Sequence, residues 1–217
     1  DKQGLEDYFT ELAGPASAYM RPNAFVNTPD ILHEFLQTGG PAAFAIRATL
    51  AATLSPTWGV YSGFELYESV ARPGAEENID SEKFEIKIRD WDAALKSQDT
   101  LIPRVSLLNK IRKENPALQQ LRNLVTHYSD DPEVLVYSKH IAAEHNGGKS
   151  NTVLVVVNTD PHSVRETTIH LNLAALNVQG ELKVTDLITG QKFVWGEHNY
   201  VRLDSFTEPA HILRVEA

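Results

Sequence analysis

Asn27-Thr28-Pro29-Asp30 follows a short apolar run, Ala24-Phe25-Val26. Proline has no N–H for a strand ladder, so Pro29 closes a strand there. In parallel α/β arrays the carboxyl ends of the strands face the active site. Asp30 therefore has two open roles: an acid group at a pocket mouth, or the cap of a helix beginning Ile31-Leu32-His33-Glu34. Glu65 holds the equivalent place just past a second run, Trp58-Gly59-Val60-Tyr61. Carboxylates at neighbouring strand tips suit a carbohydrate enzyme, where they bind sugar hydroxyls and steady an oxocarbenium-like transition state. Either group can equally serve a structural ion pair, which is the default for Glu65. Trp58, Tyr61, Tyr67 and Trp91 can stack on sugar faces, but packing is the default for each.

Other chemistry fails on spacing. Gly148-Lys149-Ser150 imitates the end of a phosphate loop, yet the leading glycine position is Ala143 and the segment joins two β runs, so a hairpin turn is expected. Gly59-Val60-Tyr61-Ser62-Gly63 has the wrong spacing for a nucleophile elbow. No His-Glu-x-x-His occurs, His140 and His145 flank a turn, and cysteine is absent, so neither a zinc site nor a disulfide framework is expected. No metal and no cofactor is called for.

The elements that would position these residues fall into two halves. Before residue 118 a helix is expected over residues 5–13, stopped by Gly14-Pro15, and another over 42–54 after Pro41, almost uncharged except for Arg47 and so heavily covered. The strand, helix, strand order predicts a parallel pair. Residues 64–92 form a long acidic loop of the kind that carries function. Residues 101–114 make an outer helix with Leu101, Val105, Leu108 and Ile111 on one face and Arg104, Lys110, Arg112 and Lys113 largely opposite. Strands are expected at 134–137, 153–157, 167–171, 182–187, 193–195 and 212–215, giving an antiparallel sandwich. The boundaries read 1–117 for the α/β part and 118–217 for the β part.

The 217 residues carry 20 Lys+Arg against 29 Asp+Glu, a formal charge of −9. That balance repels phosphate backbones and anionic lipid, so no nucleic-acid and no membrane partner is expected. No apolar run resembles a signal peptide or a membrane span, and the cysteine-free chain suits the cytoplasm. It opens Asp1-Lys2-Gln3 without Met, as if cut from something longer.

Phe25-Val26-Asn27-Thr28-Pro29-Asp30, Tyr61-Ser62-Gly63-Phe64-Glu65 and Leu108-Asn109-Lys110-Ile111-Arg112-Lys113-Glu114-Asn115-Pro116-Ala117-Leu118 resemble, in order, the last barrel segments of the α-amylase superfamily. Asp186-Leu187-Ile188-Thr189-Gly190 resembles a turn of the β-domain that follows that barrel. With Ser81-Glu82-Lys83-Phe84 and Arg89-Asp90-Trp91-Asp92, the chain is most similar to the branch that transfers maltosyl units from maltose 1-phosphate to α-1,4-glucan. The resemblance implies the last strands and helices of a (β/α)8 TIM barrel followed by a β-sandwich. It implies Asp30 as transition-state stabiliser and Lys83 and Phe84 as contacts to the donor maltosyl unit. Phe84 stands where the family more often has tyrosine, and Pro29 where ordinary amylases keep a sugar-binding histidine. A homodimer is also implied.

A whole barrel takes about 250 residues, so 217 residues with a β-domain hold only its end. Nothing here matches the superfamily's nucleophile or acid/base motifs, and the segment alone is expected to be inactive. Two rivals stand beside this reading. One is a hydrolase or a trehalose-forming isomerase on the same fold. The other is a non-catalytic glucan-binding module using Tyr128, Trp195 and Tyr200.

Overall fold

Proline and glycine set the element boundaries of the first half. In the computed structural model, which describes residues 1–80, 82 and 85–216, helix α1 (Lys2–Ala13) starts on an Asp1 side-chain cap and stops at Gly14. Strand β1 (Ala24–Phe25) leads to a short helix α2 (Glu34–Thr38), then α3 (Gly40–Leu54) with Pro41 in its first turn, then strand β2 (Trp58–Gly59). Pro41 loses no hydrogen bond there, because the first helical N–H groups have no partner within the helix. β1 and β2 pair in parallel, as the strand, helix, strand order requires. Ten residues of α3 are buried, which explains its lack of a charged face.

Helices α4 (Trp91–Ser97) and α5 (Ile102–Glu114) complete this half. Leu101, Leu108 and Ile111 are buried as expected. The opposite face departs from expectation, because two of its arginines are bracing groups. Arg112 donates to the carbonyls of Ala52, Ser55 and Pro56, which the end of α3 leaves without helical partners. Arg104 forms a two-pronged pair with Glu208 at 2.9 Å and also donates to Thr49.

The second half is one antiparallel sheet of eight strands: β3 (Leu124–Ser129), β4 (Val134–Ile141), β5 (Asn151–Asn158), β6 (Val164–His170), β7 (Leu182–Asp186), β8 (Lys192–Trp195), β9 (His198–Asp204) and β10 (Ala210–Val215). Their spatial order is β8-β7-β10-β5-β4-β3-β6-β9. β6 and β9 curl back toward β4 and β5, so Ile169, Val201 and Leu203 join Val134, Val136, Leu154, Val156 and Leu213 in one apolar interior. The other face of β4 and β5 presents Leu135, Tyr137, Val153, Val155 and Val157 to a core shared with α1, α3 and α5. Burial on both faces is why these strands read as unbroken valine-rich runs. Among the described residues, no helix is long and apolar enough to cross a membrane.

Candidate functional site at the carboxyl ends of β1 and β2

β1 runs on into Val26 and Asn27, both buried. Arg47, the one charge of α3, donates from Nε to the Val26 carbonyl at 3.1 Å, and burial lowers its pKa. The chain then reverses over two residues. Thr28 and Ile31 bond reciprocally, N–H to carbonyl, at 3.0 and 3.2 Å, with Pro29 and Asp30 at the tip. Proline's fixed φ suits that first turn position. Asp30 is exposed and stands beyond the carboxyl end of β1. It does not cap a helix: α2 starts three residues later than the sequence suggests, and its cap is His33, whose Nδ1 accepts from the Phe35 N–H.

Residues 64–92 hold that turn. Their middle is a narrow ribbon in which Arg72 N–H bonds Glu77 O at 2.9 Å and Ile79 N–H bonds Val70 O at 3.1 Å. The ribbon reaches the Asp30 turn twice. Asn78, 5% exposed, donates from Nδ2 to the Thr28 carbonyl at 2.9 Å, and the Leu32 N–H bonds the Glu76 carbonyl at 2.7 Å.

At the base of the loop Arg89, its side chain 5% exposed, is gripped between two carboxylates. It bonds Glu68 at 2.8 and 3.0 Å and Glu82 at 3.1 to 3.2 Å. Tyr61, just past β2, donates to Glu82 at 2.8 Å, and Lys87 pairs with Glu68 at 3.2 Å. The hydrogen bonds from Arg89 and then Tyr61 hold the Glu82 pKa down at about 2. Burial by itself would lift the Glu68 carboxyl, but bonds from Arg89 and Lys87 outweigh it and lower its pKa. The bonds to Glu68 raise the Arg89 pKa against the opposing effect of burial. Gly63 makes room for this cluster: its φ is +102°, and a Cβ there would lie 2.2 Å from Glu68 Oε2. No periodic pattern announces this network, because its members are 7 and 21 residues apart on irregular chain.

The other expected site residues have distinct fates. Lys83 and Phe84 lie outside the described residues. Glu65 folds back, its Oε2 accepting from the Gly63 N–H at 3.2 Å, while its carbonyl receives Leu101 N–H and Thr100 Oγ1. Among the described residues the Glu65 carboxylate forms no ion pair, its bond being to that turn. Trp58 bonds Asn109 and packs on the core, and Tyr67 sets its ring edge-on to Phe44. Trp91 opens α4 and is 37% exposed.

On the β half, Trp195 is buried, which removes it as a stacking platform, while Tyr128 and Tyr200 are exposed and the Lys2 ammonium lies 5.8 Å from the centre of the Tyr128 ring. The Gly147-Gly148 segment is the β4–β5 turn, both glycines at positive φ. Among the described residues, no group of three or more His, Asp or Glu is arranged to hold a metal ion.

Residues 126–215 match the family model described as GLGE, C-terminal. Over 217 residues, 99% of its length, the chain is 52% identical to α-1,4-glucan:maltose-1-phosphate maltosyltransferase 1 of Streptomyces coelicolor and covers 31% of that protein. It is 51% identical over 97% of its length to the Corynebacterium glutamicum maltosyltransferase, covering 31% of it. For the Mycobacterium tuberculosis maltosyltransferase the identity is 45% over the whole chain, which covers 30% of that protein. The chain thus spans about a third of the length of these curated relatives.

Its fold is shared with an Anoxybacillus α-amylase, at a TM-score of 0.64 and 13% identity, over 100% of this chain and 46% of that one. A γ-CGTase from alkalophilic Bacillus clarkii gives a TM-score of 0.62 at 17% identity, over 97% of this chain and 29% of that one. Over nearly its whole length the chain is thus similar to a segment of the α-1,4-glucan:maltose-1-phosphate maltosyltransferases, with residues 126–215 matching the C-terminal family model, and its fold is the one seen in these amylase-type structures.

Proposed function

We propose that this chain is the closing part of a retaining transferase that moves maltosyl from α-maltose 1-phosphate to the non-reducing end of α-1,4-glucan, releasing phosphate. The observation that carries the reading is the position of Asp30 beyond the carboxyl end of β1, in a chain 52% identical along its length to an enzyme of that name. In this reading β1, α2, α3, β2 and α5, within residues 1–117, are the last elements of a (β/α)8 barrel, and residues 118–217 are its β-domain.

The chemistry is a double displacement. A carboxylate nucleophile expels phosphate to leave a β-maltosyl-enzyme, and the glucan 4-hydroxyl then attacks the anomeric carbon as a general base takes its proton. Asp30 bonds the hydroxyls of the reacting sugar, and its negative charge favours the ring as positive charge develops on it. Lys83 and Phe84 contact the donor maltosyl unit. Nucleophile and acid/base are assigned to no residue of this chain, so the segment alone is inactive. A homodimer acting in the cytoplasm completes the proposal.

The test is phosphate release from maltose 1-phosphate by the complete enzyme, with and without glucan acceptor. Acceptor-dependent release is expected. Reducing sugar released from starch, with no phosphate liberated from maltose 1-phosphate, would overturn the reading in favour of a hydrolase.

A further inference from the structure

Asp30 sits on a turn closed, among the described residues, by two backbone bonds between Thr28 and Ile31. A turn of that size on an exposed surface has little stiffness of its own. Transition-state stabilisation needs the opposite, because a displacement of about 1 Å can cost about a hundredfold in rate. The stiffness therefore has to come from outside the turn.

The ribbon supplies it. Thr28 and Leu32 flank Asp30 by two residues on either side, and each is tied to the ribbon, through Asn78 Nδ2 at 2.9 Å and the Glu76 carbonyl at 2.7 Å. The Thr28 carbonyl already accepts the Ile31 N–H, so the Asn78 amide takes its second lone pair. Asn78 is buried, which keeps water from competing for that bond. The ribbon is fixed at its base where Arg89 draws Glu68 and Glu82 together, and Tyr61 ties Glu82 to the end of β2. The path from β2 to Asp30 is thus continuous: Tyr61, Glu82, Arg89, Glu68, ribbon, Asn78, Thr28.

The geometry points to Asn78 as a positioning residue for Asp30, with Arg89 locking the ribbon on which Asn78 is carried. This inference rests on the proposed role of Asp30. Neither residue is asked to touch substrate; each acts through the Asp30 turn.

The test uses the complete enzyme with maltose 1-phosphate and glucan. Asn78→Asp keeps the shape of the side chain and removes the donor. It is expected to lower kcat about 10- to 100-fold while leaving KM for maltose 1-phosphate within about threefold, the pattern of a lost transition-state interaction. In an Asp30→Asn background the same substitution should lower the residual rate no further, because the group being positioned is gone. Arg89→Lys keeps the charge but loses the two-pronged bonds, and should show the same pattern with a smaller loss; it carries the test if Asn78→Asp does not fold. Wild-type kcat in the variants, or an equal fall in both backgrounds, overturns the positioning role. If Asp30→Asn itself turns over normally, the reading of Asp30 fails first; if it is crippled while Asn78→Asp is not, only the positioning role is lost.

Discussion

Lys139 offers a test in which the magnitude follows from burial. It lies on β4, 1% exposed, and its ammonium has one hydrogen-bond acceptor among the described residues, the Gln120 carbonyl at 2.8 Å. Burial, aided by the nearby Arg112 charge, lowers its pKa from 10.5 to about 7. A shift of that size corresponds to roughly 5 kcal/mol of penalty on the charged form. A depressed lysine pKa means that between about pH 7 and 10.5 the unfolded chain holds a proton the folded chain has lost. Stability therefore rises with pH across that window, and the penalty is complete below it.

Lys139→Met keeps the aliphatic bulk and removes the charge, at the cost of an unpaired Gln120 carbonyl worth about 1–2 kcal/mol. The variant should be more stable than the parent by roughly 3 kcal/mol at pH 6.5, and that lead should shrink to near zero by about pH 9. Urea melts followed by tryptophan fluorescence at the two pH values measure both numbers. A variant less stable at pH 6.5, or a lead independent of pH, would refute the reasoning.

Two further predictions concern the β half. His127 is buried, with Nδ1 accepting the Asn172 N–H at 3.1 Å and Nε2 against Ser138 Oγ at 2.8 Å, and burial depresses its pKa from 6.5 to about 4. It contributes about 3 kcal/mol above pH 6.5 that is lost as pH falls toward 4; NMR titration of its ring should find it neutral at pH 5.5, and His127→Gln should flatten the acid side of the stability profile. Asp186 is fully buried and accepts from Ile188 N–H, Thr189 Oγ1 and His211 Nδ1 at 2.9 to 3.0 Å. Asp186→Ala strands these donors and the more distant Ile212 N–H, and should lower stability by roughly 3 kcal/mol, or Tm by about 6–12 °C in a calorimetric scan.

Sequence legibility followed burial. Helix α3 and strands β4 and β5 were readable because they are covered on nearly all sides, so their residue types carry the whole message. β9 escaped because it is wet on one face: Asn199, Val201 and Leu203 point in while His198, Tyr200 and Arg202 point out. Its period of two was present, but only two of its seven residues are aliphatic core. α4 has no buried residue at all and is marked only by its Asp90 cap.

The site divides in the same way. The place of Asp30 just past a strand was legible, whereas the contacts of Asn78 and of the Arg89 cluster join residues 50 and 21 apart and leave no spacing signal. The loop of residues 64–92 reads as an acidic run, yet Glu68 and Glu82 spend their charge on Arg89. α5 shows the matching limit of amphipathic reasoning, because Arg104 and Arg112 look like a solvated face and instead join layers of the fold.

The central claim is that the carboxylate of Asp30 acts on a sugar transition state. Steady-state turnover of the complete enzyme carrying Asp30→Asn, with maltose 1-phosphate and glucan and with folding checked by circular dichroism, tests it most directly. The account predicts a kcat lower by about a thousandfold or more with native secondary structure; turnover close to that of the unmodified enzyme contradicts it.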